Sequence, residues 1–164
     1  MKVEELTVGD SRTDVVVAEL SRTQIVMYAG ASGDFNPLHT DEVHATEVAG
    51  YAGVLAHGQL TMGLTAKLVT QWLDEAELMT FGVRFRSQVW PGDTLTTTAT
   101  VASVDAGPQG PEAELSLRTT NADGREVVTG YARLRDAVST DAVSTGIVNT
   151  DVVATDAANT REAT

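Results

Sequence analysis

The chain has 164 residues, a formal net charge of −12, no cysteine and an apolar share of 42%. That length and apolar content suit one domain with a real core, the missing cysteines exclude disulfides, thiolate nucleophiles and cysteine-ligated zinc, and the acidic excess repels a phosphate backbone, so no nucleic acid partner is expected. The opening MKVEELTVGDSRTD has no apolar signal segment and no run reaches the length of a membrane span, so the expectation is a cytoplasmic protein with no membrane partner.

In chain order, Asp14 to Leu20 is short and β-branched and reads as a strand. Ser21 and Gln24 have capping-box spacing, so a helix is expected to start there. Ile25, Tyr28 and Ala29 would form its apolar side, and Gly30 and Gly33 would end it. Pro37 pushes Asn36 towards an extended conformation. Thr40 or Asp41 can then cap a short helix through Val48, and Gly50 to Gly53 reads as loop. Helical period returns from His57 to Leu73, where Leu60, Leu64, Leu68 and Trp72 recur at every fourth position; apolar on most faces, this helix is expected to be buried.

The period then switches to two. Val83, Phe85, Ser87 and Val89 alternate with Arg84, Arg86, Gln88 and Trp90, and Pro91-Gly92-Asp93 reads as a turn. Leu95 to Asp105, Glu114 to Thr120 and Arg125 to Arg135 read as further strands, separated by Gly107–Pro111 and by the hairpin signal Asp123-Gly124. Successive strands joined by short turns are expected to pair antiparallel. Helices first and an antiparallel sheet after them give an α+β class. The arrangement that buries the long helix is a single hot-dog fold, the sheet wrapped around it, over residues 1–136. From residue 137 to 164 aromatics vanish, Thr140-Asp141-Ala142-Val143 is echoed by Thr150-Asp151-Val152-Val153, and four acids face Arg161 alone. This acidic low-complexity stretch reads as a flexible tail.

Two stretches carry chemistry. In Gly33-Asp34-Phe35-Asn36-Pro37-Leu38-His39, a carboxylate and an imidazole stand five positions apart on a loop that Gly33, Asn36 and Pro37 shape. An Asp and a His converging on one water can hold it and remove a proton. The same residues suit an Asx turn at Asp34 or Asn36, with His39 capping a helix. In the second stretch, Gly58 stands at the expected start of the buried helix, where its N–H would be an unpaired donor at the positive helix end, open to a substrate oxygen. Tight packing would explain a glycine there equally well. His57 reads as an anchor for the loop. Asp34, His39, His44 and His57 could in principle meet, but the spacing of His39 and His44 suits neither one helical face nor a zincin motif, so no metal is expected. No G-x-G-x-x-G, G-K-[ST] or G-x-S-x-G string is present. Arg84 and Arg86 share a strand face and suit either phosphate contacts or a solvated surface.

Tyr28 through Ala45 resembles the hydratase 2 signature of the MaoC-like hot-dog family. Gly33, Asp34, Asn36, Pro37, Leu38, His39 and Ala45 match it, and Ala31 departs from it. Ala56-His57-Gly58-Gln59-Leu60-Thr61-Met62-Gly63, Val83-Arg84-Phe85 and Pro91-Gly92-Asp93 match as well. Within the family the chain is most similar to the B-type subunits of mycobacterial (3R)-hydroxyacyl-ACP dehydratases, over residues 1–136. The resemblance implies reversible syn hydration of a trans-2-enoyl thioester to the (R)-3-hydroxyacyl thioester, in fatty acid or polyhydroxyalkanoate metabolism. Asp34 and His39 would hold the water, and the Gly58 N–H would form the oxyanion hole. No metal or redox cofactor is implied. The substrate would be an acyl-CoA or acyl-ACP lying between helix and sheet, and two hot-dog units would pair edge to edge, as a homodimer or as a heterodimer with a second hot-dog subunit. Some relatives place a serine at the position aligned with Ala66, a polar contact absent here. Thioesterase chemistry on the same fold and a non-catalytic acyl-thioester-binding subunit are the alternatives.

Overall fold

The computed structural model describes residues 1–137; Ala137 apart, the stretch read as a flexible tail lies outside them. Helix α1 spans Arg22–Ser32 and opens on the expected capping box. The Gln24 N–H donates to Ser21 Oγ at 3.1 Å, and the Ser21 N–H donates to Gln24 Oε1 at 2.8 Å. Gly30 does not end this helix but lies within it. Gly33 alone ends it, with φ 74° and its N–H on the Ala29 carbonyl at 2.9 Å, a left-handed position that glycine takes without strain. After a 3-10 turn at Pro37–His39, Asp41 Oδ1 accepts from the His44 N–H at 3.1 Å, and a wide π-type turn follows at His44–Val48. Asp41 is therefore the cap of the short helix.

Five antiparallel strands make one sheet: β1 (Ser11–Val17), β2 (Ala76–Phe85), β3 (Leu95–Gly107), β4 (Gly110–Thr120) and β5 (Glu126–Asp136), in the order β1-β3-β4-β5-β2. The meander β3-β4-β5 follows the expectation. Along β4, Ala113, Leu115, Leu117 and Thr119 are buried, whereas Glu114, Ser116 and Arg118 between them are exposed. In the loop between β4 and β5, Asn121 Oδ1 accepts from the N–H groups of Asp123 and Arg125, and Gly124 takes φ 78°.

Three expectations about the strands need correction. The first strand lies at Ser11–Val17, earlier than Asp14 to Leu20. Its polar half pairs with the threonine-rich β3, Thr13 Oγ1 meeting Thr98 Oγ1 at 2.9 Å, and a bulge near Val17 with Glu19 at φ 48° ends it. The second strand starts at Ala76 and stops at Phe85, so Ser87 and Val89 are not part of it. Finally, β2 and β3 follow one another but do not pair: β2 pairs with β5, at the opposite side of the sheet from β1. Residues 86–94 make the crossing. They are pinned by Arg86 N–H to Val127 O, Ala56 N–H to Val89 O and Gly92 N–H to Leu20 O.

Helix α2, Gly58–Trp72, packs across this sheet as the hot-dog arrangement requires. Its burial is one-sided, which corrects the expectation of a helix covered on most faces. Thr61, Thr65, Leu68, Val69 and Trp72 are buried; Leu60 and Leu64 are half-buried, and Gly58, Gln59, Gly63 and Lys67 are exposed. The Thr65 hydroxyl is satisfied beneath the helix. Thr65 Oγ1 donates to the Thr61 carbonyl at 3.0 Å and lies 2.8 Å from Thr119 Oγ1, which lies 2.8 Å from Thr97 Oγ1. This chain of hydroxyls ties the helix to β3 and β4 beneath it, with Leu95, Leu115, Leu134 and Val101 filling the core around it. No helix among the described residues is long and apolar enough to cross a membrane.

Candidate active site

The loop from Gly33 to His39 is built from two successive Asx turns. Asp34 Oδ1 accepts from the Asn36 N–H at 3.2 Å, and Asn36 Oδ1 accepts from the Leu38 N–H at 3.0 Å. Pro37 opens the 3-10 turn, with Asn36 at φ −54° and ψ 125°. Both turns considered from the sequence are present, and they do not exclude a chemical role: they occupy Asp34 Oδ1 and leave Oδ2 uncommitted.

Two histidines join this loop to the start of α2 by a reciprocal clasp. From the loop, His39 Nδ1–H donates to the Leu55 carbonyl at 2.7 Å. From the helix start, His57 Nε2–H donates to the Asp34 carbonyl at 3.0 Å. The Leu55 N–H adds a bond to the Leu38 carbonyl at 3.2 Å. The two imidazoles stack with centroids 3.7 Å apart and planes at 25°, and Tyr28 of α1 meets His57 at 5.0 Å and 59°. His57 is 1% exposed, and its Nδ1 has no partner among the described residues. The loop-anchoring reading of His57 holds. Its partner, a backbone carbonyl 23 positions earlier, carries no sequence signal.

The clasp engages Nδ1 of His39 and leaves Nε2 free. With Nδ1 donating to a carbonyl, the neutral ring presents a lone pair at Nε2. That atom faces Asp34 Oδ2 at 4.0 Å, too long for a direct hydrogen bond. A water donating to two acceptors at about 2.8 Å each holds them about 4.4 Å apart. The gap therefore suits one water, with both its protons directed at bases.

Asp34, His39 and His57 place one ligand atom each within 4.8 Å of one another, so three of the four candidate metal ligands do come together; His44 does not join them. The donor set fits a metal poorly. Stacked rings hold their lone pairs in separate, nearly parallel planes, which disfavours convergence on one ion, and one nitrogen of each ring already serves a backbone carbonyl.

Gly58 is the first residue of α2, and His57 occupies the N-cap position without any side-chain cap, its ring having turned to Asp34. The first intrahelical bond runs from the Thr61 N–H to the His57 carbonyl, leaving the Gly58 N–H to point out at the positive helix end. Packing is also tight here: a Cβ on Gly58 would stand 3.2 Å from the Phe85 ring, which would have to give by a few tenths of an ångström. Phe85, from the end of β2, was not singled out in the sequence for this contact. Gly58 lines a cleft of about 340 Å3 with Leu55, Thr61, Phe85, Arg86 and Val127, a size suited to a small ligand.

Comparison with known proteins places these features in a family. Residues 4–122 match the family described as MaoC like domain. Over 119 residues the chain is 33% identical to 3-hydroxyacyl-thioester dehydratase Y of Mycobacterium tuberculosis, covering 66% of this chain and 40% of that longer protein. Among solved structures, the (R)-hydratase from A. caviae involved in PHA biosynthesis superposes with a TM-score of 0.72 at 25% identity, covering 82% of this chain and 99% of that one. The C-terminally truncated HadBC (3R)-hydroxyacyl-ACP dehydratase complex from Mycobacterium tuberculosis shares the fold, with a TM-score of 0.62 at 21% identity over 77% of this chain and 95% of that one.

Proposed function

Because the chain belongs to the MaoC-like dehydratase family, we propose that it catalyses the reversible syn hydration of trans-2-enoyl thioesters to (R)-3-hydroxyacyl thioesters. The observation that carries this reading is the water-sized gap between Asp34 Oδ2 and His39 Nε2, held beside an uncapped helix start. The dehydratase and (R)-hydratase relatives support it.

The water donates to Asp34 and His39 and attacks C3 of the enoyl thioester. One base takes a proton as the C3–O bond forms, and the electron pair of the double bond moves through C2 onto the carbonyl oxygen. The Gly58 N–H donates to that oxygen as it gains enolate charge, a contact stronger in the transition state than in the substrate. The enolate then collapses and C2 takes the proton back from the same pair, so hydrogen and hydroxyl enter on one face. Dehydration is the reverse. The loop turns and the histidine clasp hold both bases before substrate arrives, so little reorganisation is needed at the moment of reaction. Crotonyl-CoA tests the reading: loss of enoyl absorbance, with (R)-3-hydroxybutyryl-CoA as product, is expected. Release of free thiol without loss of the double bond would instead assign a thioesterase.

We further propose that β2 is the pairing edge with a second hot-dog subunit. Among the described residues only β5 flanks it, and Leu78, Met79 and Phe85 are 36%, 40% and 49% exposed along it. The heterodimeric relative supports a partner of the same fold. Sedimentation of the purified chain separates the cases: a dimer alone supports self-pairing, and a monomer active only with a sister subunit supports the heterodimer.

A further inference from the structure

The outer face of the sheet, away from α2, carries a feature that the water site does not use. Directly paired residues share a face, so Arg84 of β2, Thr129 of β5 and Arg118 of β4 form one outward row, and Gly82 and Tyr131 form the next. Gly82 has no side chain to fill its place, and a Cβ there would stand 2.6 Å from the Tyr131 ring. The ring therefore lies over Gly82, across the strand. The result is a depression of about 560 Å3 lined by Gly82, Arg84, Thr129 and Tyr131. Arg86 reaches the same face, its Nε–H donating to Thr129 Oγ1 at 3.0 Å, which leaves its terminal nitrogens uncommitted to that bond.

The charges here run against the rest of the molecule. The chain carries −12 overall, and Arg12, Arg22, Arg118, Arg125, Arg133 and Arg135 each have a carboxylate partner. Among the described residues, Arg84 and Arg86 have none. Glu126, three positions before Thr129 on β5, is already held by Arg118 at 2.7 Å. Two like charges two positions apart repel one another, and an acidic protein has carboxylates to spare for them. Leaving both unpaired, beside a hydroxyl and an aromatic face, suits an anion with a flat ring attached. Arg86 also lines the cleft that contains Gly58, and its bond to Thr129 links that cleft to the depression. Pairing through the β2 edge would add strands in the plane of the sheet and leave this outer face open.

We infer that this depression binds the nucleotide-phosphate end of the thioester carrier, with Arg84 and Arg86 on the phosphates and Tyr131 against the base. The inference rests on the hydratase reading for its substrate, and it selects a CoA thioester over one borne by a carrier protein. The test compares kcat/KM for crotonyl-CoA with that for crotonyl-pantetheine, which lacks the nucleotide. Wild type should favour the CoA thioester at least tenfold at low salt, with the preference shrinking as salt rises. The double variant Arg84→Gln, Arg86→Gln should lose that preference through KM. Arg12→Gln, which removes an arginine already paired with Asp14, should keep it. Equal values for the two substrates in wild type, a preference retained by the double variant, or a preference only for a carrier-protein thioester would each overturn the inference. If no thioester is turned over, the hydratase reading fails, and calorimetric titration with ADP decides this site alone: saturable binding lost in the double variant upholds it, and no binding overturns it.

Discussion

The two long helices start in opposite ways. At α1, Ser21 and Gln24 satisfy each other's backbone donors in a complete capping box. At α2, the N-cap is His57, which caps nothing and reaches instead to the Asp34 carbonyl. A good cap contributes about 1 kcal/mol, and serine, threonine, aspartate or asparagine at position 57 would supply one. The helix that packs across the sheet thus leaves its first donors open, while the more peripheral helix closes its own. In α1 the N-terminus is part of the scaffold; in α2 it is the electrophilic end of the proposed site, and the histidine that would otherwise be a cap aligns the bases opposite it.

The contrast can be broken at several points. His39→Ala removes one of the two bases and is expected to lower kcat by about 10³-fold, measured on crotonyl-CoA, while circular dichroism stays folded. Gly58→Ala is next. Its methyl would crowd both the Phe85 ring and the approach of a carbonyl oxygen, and kcat should fall by about 10- to 100-fold. Adding Phe85→Ala frees the space on the protein side. If the loss persists in the double variant, the methyl obstructs substrate; if it vanishes, Gly58 serves packing alone. His57→Phe keeps a ring to stack on His39 and loses the donor to Asp34. About a tenfold fall in kcat with little change in KM is expected, and an unchanged kcat would show that the clasp does not align the pair. Ser21→Ala should be the mirror image of these variants, costing about 1 kcal/mol of stability, read in denaturant melts, with kcat within about twofold of wild type. A Ser21→Ala enzyme as impaired as Gly58→Ala would erase the distinction between the two helix starts.

What could be read from the sequence was local. The Ser21–Gln24 box, the turn at Asn36-Pro37, the Asp123-Gly124 loop and the alternation of β4 each involve residues a few positions apart, where backbone chemistry decides the outcome. The pairing of β2 with β5 joins residues more than forty positions apart and depends on the crossing at 86–94, for which spacing offers no rule. The β2 boundary was missed for a related reason: an edge strand with Leu78 and Met79 half out of the core lacks the alternation of a buried one. At the site, the residue types at 34, 39 and 58 were legible, because few side chains and few backbone positions can do such chemistry. The anchoring role of His57 was legible too, but the partners in the clasp were not, since each histidine spends its proton on a carbonyl. The one available signal was a histidine where a capping serine or threonine would be expected.

Asp34 and His39, we propose, hold one water near an open helix N-terminus and add it to an enoyl thioester. Parallel progress curves of wild type and Asp34→Asn on crotonyl-CoA test it most directly, because asparagine preserves the shape of the first Asx turn and removes the base. The account predicts turnover by wild type and a loss of about 10³-fold in the variant, with matching melting temperatures. Equal rates in the two proteins would contradict it.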